Sequence, residues 1–119
     1  MSVGNVWLGS LVNHTIAASG DLTVSSFAIT TTALSTPAVL VYASVNLSGS
    51  MSNTAYVTYS PAAGVNYSQT LKQQALGGLT SYFYQPSPPM YVFPGDTITL
   101  KVTNTTALGG VYGSITLLY

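Results

Sequence analysis

The chain has 119 residues and only four charged side chains, Lys72, Lys101, Asp21 and Asp96, with no Arg, Glu or Cys. Charged residues make up 3% of the chain, against roughly 25% in ordinary soluble domains. Two lysines cannot neutralise a phosphate backbone, so nucleic acid is excluded as a primary partner. Cysteine-based zinc sites and disulfide frameworks are excluded with it. The 47% hydrophobic content excludes a chain too polar to collapse, and the length suits one domain, residues 1–119, with one core.

The first segment, residues 1–19, is apolar in alternation. Val6, Leu8 and Val12 share one face of a strand over residues 6–15, and Trp7 and Leu11 share the other. Met1 to Ala17 holds no Lys or Arg and is interrupted by Gly4, Gly9, Ser10, Asn13 and His14, which is not a secretory signal pattern. The initial Met is expected to mark a product used as translated. Ala18-Ser19-Gly20 reads as a turn that sets this segment apart, and strand addition to a neighbouring copy is expected of it.

Leu22 to Thr32 is a second strand whose apolar phase slips between Val24 and Phe27, predicting a bulge at Ser25-Ser26. The strongest strand follows, with Val39, Val41, Ala43, Val45 and Leu47 on one face and Leu40, Tyr42, Ser44, Asn46 and Ser48 on the other. The nearly apolar run Pro37 to Val45 is about half a membrane-spanning helix, so no membrane insertion is expected. Further strands are predicted over Ala55 to Tyr59, Val65 to Gln73, Leu79 to Tyr84 and Met90 to Phe93. Tyr67 to Leu76 tolerates helix, but its β-forming flanks favour a strand.

Pro94-Gly95-Asp96 is a turn that launches Thr97 to Thr103, and Gly109-Gly110 precedes the last strand through Val111, Gly113, Ile115, Leu117 and Tyr119. Eight or nine short antiparallel strands without a helical period predict an all-β fold, a single jelly-roll-like β-sandwich.

Three stretches, Ser35 to Ser44, Phe93 to Val102 and Gly110 to Leu117, resemble the small β-sandwich heads of viral fibres and virion-decorating proteins, with a weaker similarity to archaeal extracellular filament subunits. That resemblance spans about two thirds of the chain. It implies a self-associating virion part, in a fibre, turret, decoration or capsid, without a catalytic or metal motif.

The residue chemistry agrees with a non-enzymatic role. One histidine, His14, and two aspartates stand among many serines without a nucleophile elbow. No catalytic residues, metal ligands or cofactors are assigned: a carbonyl-rich calcium site at Asp21 or Asp96 is outweighed by the usual turn role of Asp. Lys72 and Lys101 read as solvated strand positions or edge guards. The nine tyrosines are more telling. Tyr82, Tyr84 and Tyr91 flank Gln85-Pro86-Ser87-Pro88-Pro89 and suit either a protein interface or stacking on sugars. Sequons lie at Asn13, Asn46, Asn66 and Asn104, of which Asn66 and Asn104 are the better candidates for N-glycosylation.

The expected function is structural: a virion subunit that binds copies of itself, other virion proteins and a host-surface glycan or protein. An extracellular filament or surface-layer subunit, at the cell surface, and a carbohydrate-binding module are the alternatives.

Overall fold

The computed structural model describes residues 11–21, 26–48, 54–64, 67–77, 79–103 and 109–119. Among these, nine strands occur and no α-helix: β1 (Asn13–Asp21), β2 (Phe27–Thr30), β3 (Ala38–Leu47), β4 (Thr54–Ser60), β5 (Gln69–Ala75), β6 (Ser81–Tyr84), β7 (Met90–Val92), β8 (Thr97–Val102) and β9 (Gly110–Leu118).

The pairing is that of one long hairpin rolled up. Its outermost pair is β1·β9, then β2·β8, then β3 with β6 and β7, then β4·β5, and every pair is antiparallel. Successive pairs alternate between two sheets and are joined there by β3·β9 and β4·β8. Sheet I therefore runs β1-β9-β3-β6, with β7 also on β3, and sheet II runs β2-β8-β4-β5. This nesting is a jelly roll. β6 and β7 act as one interrupted strand: they occupy successive stretches of the same edge of β3, opposite Asn46 to Ala43 and Leu40 to Ala38.

The core lies between the sheets. Leu40, Val45 and Ile115 from sheet I meet Val57, Ile98 and Leu100 from sheet II, all fully enclosed. Burying side chains of this size stabilises by about 1.5–3 kcal/mol each, which lets the fold form without disulfides.

Two expectations from the sequence do not hold in the structure. The alternation along β3 is not continuous, because the β3·β9 register shifts between Leu40 and Tyr42. That bulge puts Ala38 and Leu40 on the core face together with Ala43, Val45 and Leu47, and leaves Val39 on the other face. A simple two-residue period assigns Leu40 to the wrong side. The turn expected at Ala18-Ser19-Gly20 is also absent: β1 continues through Ala18, opposite Gly113, to Asp21, opposite Gly110. Gly20 serves packing instead of a turn, since a Cβ there would lie 2.9 Å from the Phe27 ring. The bulge predicted at Ser25-Ser26 falls largely outside the described residues.

The Pro94-Gly95-Asp96 turn forms as the sequence implies. Gly95 adopts a φ of +88°, and the Asp96 amide donates to the Phe93 carbonyl at 3.0 Å. Tyr67 to Leu76, where the sequence favours a strand over helix, contains β5.

Candidate interaction surface

The outer face of sheet I is built from alternate residues of its strands. On β9 these are Tyr112, Ser114, Thr116 and Leu118, because Gly113 and Ile115 face the core. Ser114 and Thr116 are nevertheless buried, enclosed by flanking side chains on both neighbouring strands. Their hydroxyls are satisfied across the sheet: Ser114 Oγ with Ser44 Oγ at 2.7 Å, and Thr116 Oγ1 with Thr15 Oγ1 at 2.7 Å. The middle of the face is thus a layer of mutually paired hydroxyls with little demand for water.

Aromatic rings surround that layer. Phe83 lies opposite Ser44, Tyr91 opposite Val39 and Tyr112 opposite Asn46, and all three rings are exposed. Tyr42 stacks on Phe83 with ring centroids 5.1 Å apart. No strand of sheet I carries a charged residue except Asp21 at the end of β1, whereas Lys72 and Lys101 both belong to sheet II. Such a face costs little to desolvate, since removing charge from water is the expensive part of burial.

The residues singled out from the sequence divide as follows. Tyr82 and Tyr84 do not join Tyr91 in an aromatic platform. They face inward opposite Val45 and Ala43 and pack against the core. A stretch of four residues between turns gave both faces of β6 similar aromatic character, so its phase was hidden in the sequence. Tyr91 does face outward, and it meets another predicted contact residue: Leu11, Tyr91, Val39, Pro37 and Leu118 line one small apolar hollow. Val12 is exposed while its backbone bonds to Tyr119 in both directions at 3.1 Å. Val6, Trp7 and Leu8, and the sequon residues Asn66 and Asn104, lie outside the described residues. Of the other sequon residues, Asn13 and Asn46 are exposed on β1 and β3.

At the opposite end of sheet I, Ser19, Asn46, Ser48, Gly110 and Tyr112 line an open hollow of 330 Å³. Its rim is held by the Gly110 amide donating to Ser48 Oγ and the Ser48 amide donating to the Gly110 carbonyl, both at 3.0 Å. Beside the apolar Leu47 and Val111, the described lining offers hydroxyls, one carboxamide and an aromatic ring and no charged side chain, a chemistry suited to a neutral group with both polar and apolar faces.

Of the polar residues weighed for catalysis, His14 and Asp96 both have partners. His14 stacks on Tyr119, ring centroids 3.8 Å apart. Asp96 is buried and accepts three hydrogen bonds: from the Tyr59 hydroxyl at 2.6 Å, the Ala62 amide at 2.9 Å and the Phe93 amide at 3.1 Å. Burial pushes its carboxyl pKa up, but these three donors outweigh it and hold the group below the usual carboxylate range. The same contact raises the Tyr59 phenol, first through the hydrogen bond to Asp96, then through burial and the adjacent negative charge. Asp96 therefore clamps the β7–β8 turn to β4 and to the loop after it. Among the described residues no group of three or more potential metal ligands occurs.

The sequence signal for the hydroxyl layer was present as Ser114 and Thr116 alternating with Gly113, Ile115 and Leu117, yet nothing local shows that these polar positions would be enclosed. No protein-family model matches the chain, and no curated protein does. Among solved structures eighteen chains match. One is a crystal structure of PirA, at a TM-score of 0.49 and 12% sequence identity, the alignment covering 88% of this chain and 92% of that chain.

Proposed function

We propose that the chain is a structural subunit of a virion, a fibre, turret, decoration or capsid part that works by assembling with copies of itself and contacts other virion proteins and the host surface. The observation that carries this reading is the aromatic-rimmed outer face of sheet I on a jelly roll, a sheet whose strands carry Asp21 as their one charged residue. Jelly rolls are recurrent in viral capsids, and interfaces favour tyrosine and phenylalanine while shedding charge. An extracellular filament or surface-layer subunit would use the same physics in a cellular setting.

The test has two parts. Light scattering on the purified chain is expected to show oligomers or filaments at micromolar concentration, and a 12.4 kDa species across dilution and salt would sink the reading. Immunogold labelling of native extracellular particles with an antibody to the chain then separates a virion from a cellular filament by the shape of what is decorated.

The hollow beside Tyr112 favours a second reading, glycan binding, because lectins also use jelly rolls and the lining suits a neutral sugar. Titration of neutral glycosides, followed through the Tyr112 ring resonances, tests it; unmoved resonances at millimolar sugar remove it.

A further inference from the structure

The four outer edges of the two sheets are not alike. On sheet II, β2 is only 4 residues long, and β5 carries Lys72, whose side chain is exposed. On sheet I, the edge opposite β1 is split into β6 and β7, separated by Gln85-Pro86-Ser87-Pro88-Pro89. Shortness, lysine, interruption and proline are the usual means by which proteins stop an edge from pairing with another chain. β1 has none of them. It is 9 residues long, contains no Lys or Pro, and pairs with β9 without a bulge.

Its ladder also shows which backbone groups face away. Val12 and Tyr119 exchange both of their hydrogen bonds, so they form a closely bonded pair. Antiparallel alternation then turns the amides and carbonyls of His14, Ile16, Ala18 and Gly20 toward β9. Those of Asn13, Thr15, Ala17, Ser19 and Asp21 point to the free edge, where no strand among the described residues pairs with them.

We infer that two copies of the chain join through their β1 edges, antiparallel about a two-fold axis at Ala17, to make one sheet continuous across both. This deepens the self-assembly reading and rests on it. A two-fold at Ala17 matches the free groups throughout: Ala17 bonds Ala17, Thr15 bonds Ser19, and Asn13 bonds Asp21 of the other copy. The five bonded pairs supply roughly ten hydrogen bonds. The arrangement is self-complementary, as an isologous contact must be. It also sets Asp21 opposite an uncharged residue, with the two Asp21 positions at opposite ends of the ladder, whereas parallel pairing would bring the two acids side by side. The side chains meeting along the outer face, Ala17 with Ala17 and Thr15 with Ser19, are small enough for close strand approach.

Cross-linking tests this directly, because the chain has no cysteine. In the proposed dimer the two Ala17 Cα atoms lie about 5.5 Å apart, while the two Asn13 positions are about 27 Å apart along the ladder. Ala17→Cys and Asn13→Cys, each treated with a short bismaleimide that bridges only adjacent strands, should differ at least tenfold in yield of covalent dimer, in favour of Ala17→Cys. Comparable yields, or no dimer from Ala17→Cys while the wild-type chain is oligomeric by light scattering, overturn the β1 contact and leave self-assembly standing. A monomeric wild-type chain overturns both. As a second variant, Ala17→Lys sets two like charges opposite each other at the two-fold on an exposed position. It is expected to keep the wild-type circular dichroism and melting temperature and to weaken dimerisation at least tenfold; unchanged dimerisation refutes the contact.

Discussion

The ring of Phe27, on β2, lies against Gly113, on β9, so closely that a Cβ at position 113 would sit 2.6 Å from Phe27 Cε1. The two residues belong to different sheets, and their contact sets how near the sheets come at this end of the core. The same ring covers Gly20 on β1, so one aromatic side chain rests on two glycines of adjacent strands.

Gly113→Ala should therefore destabilise the fold by about 1–3 kcal/mol, the usual cost of overpacking a well-filled core. The Leu100 side chain, 3.2 Å from the added Cβ, closes the other direction of escape. Urea denaturation at neutral pH measures this. A variant with an unchanged midpoint would show that the Phe27 ring turns aside freely. The double variant Gly113→Ala with Phe27→Leu should recover part of the loss, since the two changes act on one space.

Tyr82 gives a prediction of opposite sign. Among the described residues its buried hydroxyl has no hydrogen-bond partner, and burial raises the phenol pKa, with the neighbouring Tyr84 adding to the effect. An unsatisfied buried hydroxyl costs about 1–3 kcal/mol. Tyr82→Phe removes it and keeps the ring, so the variant is expected to be at least as stable as wild type and up to about 1 kcal/mol more so. A clear drop in melting temperature would mean that the hydroxyl has a partner, such as an ordered water.

The fold was largely legible in the sequence where strands alternate and turns carry Gly, Pro or Asp: β3, β8 and β9 and the Pro94-Gly95-Asp96 turn follow from those signals alone. It was obscured where a tertiary contact reassigns a local signal. Ala18-Ser19-Gly20 has turn chemistry, but Gly20 is needed under the Phe27 ring and the nine-residue partner β9 draws the segment into a strand. Leu40 and Val39 exchanged faces because a bulge leaves no mark in a run of uniformly apolar residues. The surface was harder still. Tyr91 and Leu11 were identifiable as exposed or contact residues, but their convergence on one hollow depends on β7 and the start of β1 both lying near the same end of β3 and β9. The inward turn of Tyr82 and Tyr84 is a matter of strand phase, which four residues are too few to fix.

Asp96 makes folding sensitive to acid. The folded-state pKa lies below its ordinary value, so the carboxylate's contribution is complete above the unfolded-state pKa, roughly 3.9, and is lost as pH falls through the lower folded-state value. Melting temperatures should therefore decline below about pH 4. In Asp96→Ala the Ala62 and Phe93 amides and the Tyr59 hydroxyl lose their acceptor, which is expected to cost about 2–4 kcal/mol at neutral pH, toward the value for groups bonded to a charge. The acid slope should flatten in that variant. An undiminished slope would assign the acid sensitivity to Asp21 or to the chain terminus.

Simple salt should leave assembly almost unchanged. Any contact made through sheet I involves hydroxyl pairs, aromatic rings and strand backbone, with Asp21 the lone charged residue on its strands. Lys72 and Lys101 are exposed on sheet II and have few acids to meet on another copy, since Asp96 is buried and already bonded. Raising NaCl from about 0.05 to 0.5 M shortens the screening length severalfold, yet it has almost nothing to screen. The apparent dissociation constant is expected to change by less than about threefold over that range. Ammonium sulfate, which strengthens apolar burial by exclusion from the surface, should tighten association. Sedimentation velocity at a series of salt concentrations reads both effects. Dissociation by modest NaCl would place Lys72 or Lys101 in the contact and move the assembly surface from sheet I to sheet II; Lys72→Gln and Lys101→Gln would then abolish the salt response, whereas a sheet I contact leaves both variants assembling like the wild type.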